Sequence, residues 1–238
     1  MKLLSNCGGQ VSRVMRIVLG ILLIAGSCEY AQAEARDVAL TPEGFRIPIG
    51  EGDPYILNYP FLLNANDSGL KAQNITVAPD GKSVSMTYAP SGRCTIERKS
   101  ETEWAFHITE IPVDRVKFGF GMKLPLSLAQ EVACVQPNDK PLIVLPEAPE
   151  KDKITLYNGN PKWVKLTRPS GGVVFQYPRT TWTMLRDHRP WGQKYFRLDH
   201  ILYFPGKKNV PEINYTLIIA DPASVTESTS AMPSAVKK

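Results

Sequence analysis

Apolar and polar side chains alternate along most of this sequence, and this period of two constrains the fold more than any other feature. The alternation recurs from residue 45 to residue 220 in segments rich in β-branched and aromatic residues, and no segment after residue 33 shows a long helical period. Alternating side chains of a strand lie on opposite faces of a sheet, so one face can be buried while the other meets water. The sequence therefore predicts an all-β protein, a large antiparallel two-sheet β-sandwich with few or no helices.

The alternation also locates individual strands. Short turns between the earlier strands predict one meander that continues through residue 124. Gly119 and Gly121 lie on one face of the last strand of this meander, where a missing side chain permits close approach of another backbone or a strong bend. The predicted strands are Ser83–Tyr88, Arg93–Lys99, Glu103–Ile111, Arg115–Leu124, Lys153–Tyr157, Lys162–Arg168, Gly172–Tyr177, Thr180–Leu185, Lys194–Phe204 and Ile213–Ala220.

Two segments interrupt this pattern. Residues 125–153 contain a short apolar stretch and a charged connector with prolines, so two halves of a single domain spanning residues 34–220 could meet there. Residues 221–238 (DPASVTESTSAMPSAVKK) offer little apolar surface to offset the entropy of ordering, which predicts a disordered tail.

The N-terminal segment predicts export. An apolar run at 17–26 follows Arg13 and Arg16 and precedes the small residues AQA at 31–33, which is the pattern of a secretory signal peptide covering residues 1–33. The run has about half of the roughly twenty residues that a membrane-spanning helix needs, and no later segment is apolar enough to span. We expect a bacterial protein of the periplasm or the extracellular space. Translation could begin at Met1 or at Met15, which opens a tighter version of the same signal.

Cys28 leaves a second mode of export open. The sequence Ile24-Ala-Gly-Ser-Cys28 resembles a bacterial lipoprotein signal, in which Cys28 would be acylated and become the first residue of a membrane-anchored protein. Cleavage after Ala33 is the main expectation, and the lipid anchor is its alternative.

The charge and the remaining cysteines limit the partners and the cofactors. The formal net charge falls from +5 to +3 without residues 1–33, because that segment holds three of the 28 basic and one of the 23 acidic residues. These basic residues are scattered, which argues against nucleic acid as a partner. Cys94 and Cys134 predict one disulfide in an oxidising compartment, although two small buried residues would fit as well. No cysteine or histidine spacing predicts a zinc site, and no cofactor is expected.

Two Asp-His pairs, at 187–188 and 199–200, raise the question of a metal site. In a regular strand Asp199 and His200 point to opposite faces, so His200 is expected in the core with the apolar residues of its face. The other pair lies in RDHRPWG, a turn in which adjacent side chains can converge. We predict no metal site, while a site made by His107, His188 and His200 remains the alternative.

The opposite face of the same strand carries Tyr195, Arg197, Asp199 and Tyr203. Tyrosine rings can cover the apolar faces of sugars, and charged groups can fix hydroxyls or uronate carboxylates. This pattern predicts a carbohydrate platform, and an ordinary solvated sheet face is the alternative. Nearby side chains that could add to the platform are Trp182, Trp191 and His188.

The segment Gly192-Gln-Lys-Tyr-Phe-Arg-Leu-Asp-His200 resembles the Asn-His-Ser/Thr-Tyr-Phe-Asn-Leu segment of galactose mutarotases. The resemblance covers about ten residues and implies an antiparallel β-supersandwich of the kind found in carbohydrate-active proteins. Gln193 stands where that family has its catalytic histidine, and Gly192 stands where it has asparagine. No segment matches the catalytic glutamate of the family, which argues against mutarotase activity.

These patterns lead to two hypotheses. The first is an exported, non-catalytic β-sandwich that binds a carbohydrate or another component of the cell envelope. The second is an enzyme acting on an anionic polysaccharide, such as a lyase, in which Tyr195 or Tyr203 would work with His188 and Arg197. A groove that holds tyrosine, histidine and arginine together would favour the lyase.

Overall fold

The structure is a computed structural model that describes residues 37–49, 53–126, 134–168, 171–204 and 212–224. These residues form two antiparallel sheets, one of nine strands and one of eight. The strands, numbered along the chain, are β1 (Ala39–Thr41), β2 (Gly44–Ile47), β3 (Tyr55–Asn58), β4 (Phe61–Asn64), β5 (Gly69–Leu70), β6 (Gln73–Val77), β7 (Ser83–Thr87), β8 (Arg93–Arg98), β9 (Glu103–Thr109), β10 (Arg115–Pro125), β11 (Cys134–Pro137), β12 (Thr155–Gly159), β13 (Trp163–Arg168), β14 (Gly171–Gln176), β15 (Trp182–Asp187), β16 (Tyr195–Tyr203) and β17 (Glu212–Ala220).

The two sheets differ in strand order. The nine-stranded sheet runs β1-β2-β3-β10-β16-β15-β12, with β4 also paired to β10 and β5 paired to β4. The eight-stranded sheet runs β11-β13-β14-β17-β9-β8-β7-β6. The predicted all-β sandwich is confirmed.

Within the described ranges, no helix has the length and the apolarity that crossing a bilayer would require.

The core lies between the sheets and is built from aromatic side chains of both. The Phe45 ring of the nine-stranded sheet meets the Trp104 indole of the other sheet edge to face, with centroids 5.1 Å apart. Phe120 stacks on Phe106 across the same interface at 5.8 Å. The predicted alternation on β9 is confirmed, because Trp104, Phe106 and Ile108 are all buried. Rings of this size remove much apolar surface from water, and this burial is the main favourable contribution to folding.

The predicted meander is correct for three strands and wrong for the fourth. The strands β7, β8 and β9 are sequential neighbours in the eight-stranded sheet, but β9 is followed in space by β17. The chain crosses after β9, and β10 joins the nine-stranded sheet between β3 and β16. Strands from both sides of residues 125–153 are therefore neighbours in each sheet, as in β10 beside β16 and β17 beside β9.

The ends of the chain fall mostly outside the described residues. This holds for the predicted signal peptide at 1–33, for Cys28, and for residues 225–238 of the predicted tail. Residues 222–224 form a 3₁₀ turn, in which the Asp221 carboxylate accepts a hydrogen bond from the Ala223 N–H at 2.9 Å.

The predicted disulfide between Cys94 and Cys134 does not fit the topology. Cys94 lies on β8 and Cys134 on β11, which are five strand positions apart in the eight-stranded sheet. Neighbouring strands are about 4.8 Å apart, so the two backbones are separated by about 24 Å. A disulfide requires Cα atoms within about 7 Å. Cys94 is a free, buried thiol, and burial raises its pKa to about 12.

Candidate functional site

The outer face of the nine-stranded sheet carries the candidate site, and β16 lies at its centre. This strand pairs with β10 on one side and with β15 on the other. Strand alternation directs Phe196, Leu198 and His200 into the core, where all three are buried. The residues of the other face are Tyr195, Arg197, Asp199, Ile201 and Tyr203.

The predicted platform requires an Asp199 side chain that faces solvent. In the structure this side chain is buried beneath two arginines. One carboxylate oxygen accepts from Arg197 Nε at 2.7 Å, and the other accepts from an Arg186 terminal nitrogen at 3.1 Å. Only 3% of the Asp199 side chain is exposed, against 33% for Arg197 and 29% for Arg186. Asp199 therefore positions the two guanidinium groups and does not itself present a charge to a ligand.

Gly121 explains how a carboxylate can be buried on an outer face. Gly121 lies opposite Asp199 in the β10–β16 register. A Cβ atom at Gly121 would come within 2.5 Å of the Asp199 Oδ1 atom and 2.8 Å of the Leu198 carbonyl oxygen. The close approach expected for this glycine is confirmed, and here the atoms that approach belong to a charged side chain as well as to a backbone.

Tyr195 is held between a ring and an ammonium group. The His188 imidazole stacks on it with ring centroids 5.2 Å apart and planes at 28°. Lys123 Nζ lies over the Tyr195 ring, 4.8 Å from its centroid. Burial and the nearby charges of Arg186 and Arg197 lower the pKa of His188, so its imidazole is neutral at pH 7. Tyr195 thus has little free ring face for stacking against a sugar.

The turn after β15 separates Asp187 from His188. Asp187 is buried, and its carboxylate accepts hydrogen bonds from the Arg189 side chain at 2.7–3.1 Å and from its backbone N–H. Burial opposes ionisation of Asp187, but these hydrogen bonds outweigh it and lower the pKa. Arg189 also donates to the carbonyls of Pro146 and Glu147. The pair Asp187 and Arg189 therefore anchors the connector before β12, and it forms no site with His188.

Trp191 lies in this turn, which the sequence predicts from Pro190 and Gly192. Residues 189–191 form a 3₁₀ turn that Gly192 closes with a left-handed backbone at φ 76°. The Trp191 indole meets His188 edge to face at 4.8 Å, and half of Trp191 is exposed. The turn thus places one exposed aromatic side chain beside the Tyr195 end of the outer face.

An open groove of about 600 Å³ begins at Tyr195 and Arg197. Among the residues that the structure describes, its cationic lining residues are Lys71, Lys123 and Arg197, and its acidic lining residue is Glu43. Apolar surface comes from neighbouring strands, including Ile56 on β3 and Phe61 on β4. The Phe61 ring lies 5.9 Å from the Arg197 guanidinium carbon. The groove therefore combines a positive charge balance with apolar walls.

Arg197 is oriented and still has donors available. Its Nε atom is committed to Asp199, and neither of its terminal nitrogens has a hydrogen-bond partner among the residues that the structure describes. A guanidinium group held in this way can offer two parallel N–H donors to a carboxylate, a sulfate or a phosphate. Lys123 forms no ion pair with any described residue, and its ammonium is also available to an anion.

Tyr203 and Trp182 form the other end of the outer face. Tyr203 is half exposed, and Lys117 Nζ lies 5.0 Å from the centroid of its ring. Trp182 meets Tyr203 edge to face at 6.3 Å, and its indole N–H donates to the Asn158 side chain. The platform residues predicted from the sequence are therefore divided between the two ends of the outer face.

The three histidines occupy three different environments, so the structure does not bring together the three residues of the metal site that the sequence left as an alternative. His200 is fully buried on the inner face, and its Nδ1 atom is 2.7 Å from the Tyr177 hydroxyl oxygen. Burial lowers its pKa to about 3, so it is neutral. His107 is on the outer face of the eight-stranded sheet, 2.8 Å from the Asn214 amide oxygen. No group of three metal-ligating side chains occurs in the part of the chain that the structure describes.

Sequence reasoning missed several residues of the site. Lys123, Phe61 and Lys71 come from strands and loops that are distant in the sequence from β16, whereas Arg186 lies on β15, which directly precedes it. Only Arg186 gave a local signal, since it shares a face with Trp182 on the alternating segment that precedes β16. The other three are brought to the groove by pairing between distant strands.

Comparisons with known proteins add a distant structural similarity. No family model matches this sequence, and no curated protein is significantly similar to it. Among the solved structures that it resembles is a GH31 family sulfoquinovosidase from E. rectale in complex with an aza-sugar inhibitor, with a TM-score of 0.41 and 8% sequence identity. The match covers 76% of this chain and 31% of that one, so this chain spans about a third of that enzyme's length.

Proposed function

We propose that this protein binds an anionic carbohydrate in the groove at Tyr195 and Arg197. The observation that carries the proposal is the Arg197 side chain, which Asp199 orients from below while its terminal nitrogens remain available in the groove. The carboxylate of an acidic sugar matches this guanidinium geometry. Apolar groove walls such as Phe61 and Ile56 suit the C–H faces of a sugar ring.

The charge balance supports an anionic ligand over a neutral one. Of the described residues that line the groove, three are cationic and one is acidic. A neutral sugar would gain little from Lys71, Lys123 and Arg197, whereas a uronate would form charge-assisted hydrogen bonds with them. Such bonds contribute about 1.5–3 kcal/mol each.

We propose further that the protein acts outside the cytoplasm. The support is the signal pattern of residues 1–33, with the acylated Cys28 form as its alternative. An acidic polysaccharide of the cell envelope or of the surroundings would be accessible there. Mass spectrometry of the mature N-terminus tests this part, and a cytosolic chain that retains residues 1–33 would contradict it.

Calorimetry with matched ligands tests the binding. An oligogalacturonide is compared with the uncharged galactose oligomer of the same length and linkage. We expect binding of the acidic oligomer alone, with an affinity that falls as salt increases because the contacts are partly solvent-exposed. Equal affinity for both oligomers, or binding to neither, would refute the proposal.

Charge-removing variants assign the binding to the groove. Arg197→Gln is expected to lower the affinity for the acidic oligomer by about ten- to a hundredfold, which corresponds to about 1.5–3 kcal/mol. Lys123→Gln should lower it by less, because an ammonium group provides no bidentate contact. Lys165→Gln is the matched control, since this half-buried lysine lies on β13 of the opposite sheet.

A lyase remains a second candidate because Tyr195, His188 and Arg197 lie together. His188 contacts Tyr195 by ring stacking and is not among the residues that line the groove, which favours binding without catalysis. Polygalacturonate incubated with the protein would show rising ultraviolet absorbance if unsaturated products formed. We expect no rise, and a rise abolished by Tyr195→Phe would select the lyase.

A further inference from the structure

The outer face of the nine-stranded sheet repeats one arrangement at its two ends. A lysine of β10 lies over a tyrosine of β16 in both places: Lys123 over Tyr195 at 4.8 Å, and Lys117 over Tyr203 at 5.0 Å. Both tyrosines point outward because they are eight residues apart on one strand. At about 3.3 Å per residue, the two ends are about 26 Å apart.

Strand β10 contributes no large side chains to the outer surface between the two ends. The outward positions of β10 between Lys117 and Lys123 are Gly119 and Gly121. The Phe61 ring lies against Gly119, and Asp199 lies against Gly121. Ile201, between Asp199 and Tyr203, is also buried. An extended ligand could therefore lie along β16 from one end to the other.

The two ends differ in the chemistry that they offer. At the groove, Lys123 and Arg197 have donors without partners among the described residues. At the other end, Lys117 Nζ is paired with the Asp67 carboxylate at 2.7 Å, so this end is electrically balanced. Tyr203 is half exposed, and Trp182 meets its ring edge to face. The groove suits a negative charge, and the far end suits the apolar face of a sugar ring.

We propose that the ligand is a polymer, an acidic polysaccharide chain that runs along β16 and is held at both ends. This inference rests on the proposed function of the groove and specifies the length of the ligand. Two contacts on one chain reinforce each other, because binding at the first end raises the effective concentration at the second. A monosaccharide or a disaccharide would reach only one end.

The affinity for oligogalacturonides of increasing length tests the proposal. We expect the affinity to rise by about tenfold, or 1.4 kcal/mol, once the oligomer can span both ends, and then to level off. Tyr203→Ala should remove this rise and leave the affinity for short oligomers unchanged, whereas Tyr203→Phe should retain it. Trp163→Ala, which removes an aromatic side chain from β13 of the other sheet, is the control and should also retain the rise.

The salt dependence separates the two ends. Arg197→Gln should reduce the loss of affinity on adding salt, whereas Tyr203→Ala should leave it unchanged, since aromatic stacking involves no ion pair. Equal affinity for short and long oligomers in the wild type, with no effect of Tyr203→Ala, would overturn this inference while the groove stands. An absence of binding at every length would overturn the proposed function itself.

Discussion

Replacing Asp199 by asparagine should destabilise the protein by about 2–3 kcal/mol. The carboxylate is 3% exposed and is shared by Arg197 and Arg186. Breaking a fully buried ion pair costs about 3–5 kcal/mol, and an exposed pair contributes at most about 1 kcal/mol. Since both guanidinium groups are about one-third exposed, water screens part of the charge that the substitution leaves unpaired. The asparagine amide nitrogen would also face an arginine donor, so one of the two hydrogen bonds would be lost.

Urea denaturation monitored by tryptophan fluorescence measures this loss. The free energy of unfolding should fall while its dependence on urea concentration stays constant. Glu97→Gln is the matched control, because Glu97 and its partner Lys99 are each about half exposed, and we expect almost no change. Surface substitutions usually change stability by less than about 0.5 kcal/mol, so a loss below this value in Asp199→Asn would show that the carboxylate does not hold both arginines.

Buried positions in the two sheets should respond to substitution, to pH and to chemical labelling. Gly121→Ala should lower the free energy of unfolding by about 1–3 kcal/mol, because the added methyl group overpacks against Asp199, and it should also weaken binding of the acidic ligand. Gly69→Ala is the control, since its Cβ would lie 3.4 Å from the nearest atom, and we expect it to be tolerated. Urea denaturation and calorimetry measure both variants. The pKa of His200 is lowered to about 3, so the unfolded chain binds a proton below pH 6.5 that the folded chain does not. The free energy of unfolding should therefore fall between pH 6.5 and pH 3 by up to about 1.4 kcal/mol per pH unit. His200→Gln should flatten this slope. An unchanged slope in that variant would show that His200 is not the group that causes the pH dependence. Cys94 should be alkylated only after unfolding, as read by peptide mass spectrometry, and rapid labelling of the native protein would show that it is accessible.

Strand alternation predicted the orientation of β16 correctly because that information is local. The apolar residues Phe196 and Leu198 share a face with His200, and burial of that face follows from the period of two. The same alternation predicts that Asp199 lies on the outer face, but it does not predict that its side chain is buried there. Its burial depends on Gly121, which is 78 positions earlier in the sequence and reaches Asp199 only through the pairing of β10 with β16.

Pairing between distant strands is also the reason why most of the groove was not predicted. The sequence predicted a meander through residue 124, whereas β10 crosses to the other sheet and brings Lys123 to Tyr195. Phe61 reaches the groove by the pairing of β4 with the same strand. A short connection gives no information on which sheet the next strand joins, since that choice depends on how the whole core packs.

The two glycines of β10 were the signal that could have indicated the site. The sequence predicts close approach of other atoms at Gly119 and Gly121, and the positions of Phe61 and Asp199 confirm it. A strand with large side chains on its inner face and glycines at outward positions leaves space on the outer face for side chains of neighbouring strands. Aromatic and charged residues on those neighbours are then candidates for one shared surface.

A nuclear magnetic resonance titration shows whether the outer face of the nine-stranded sheet binds an acidic carbohydrate. Backbone amide shifts are followed while an oligogalacturonide long enough to span about 26 Å is added, the length set by eight residues of β16. We predict shift changes at Lys123, Tyr195, Arg197 and Tyr203, and none around His107 on the opposite sheet. Changes concentrated around His107, or no changes at saturating ligand, would show that this face does not bind the acidic carbohydrate.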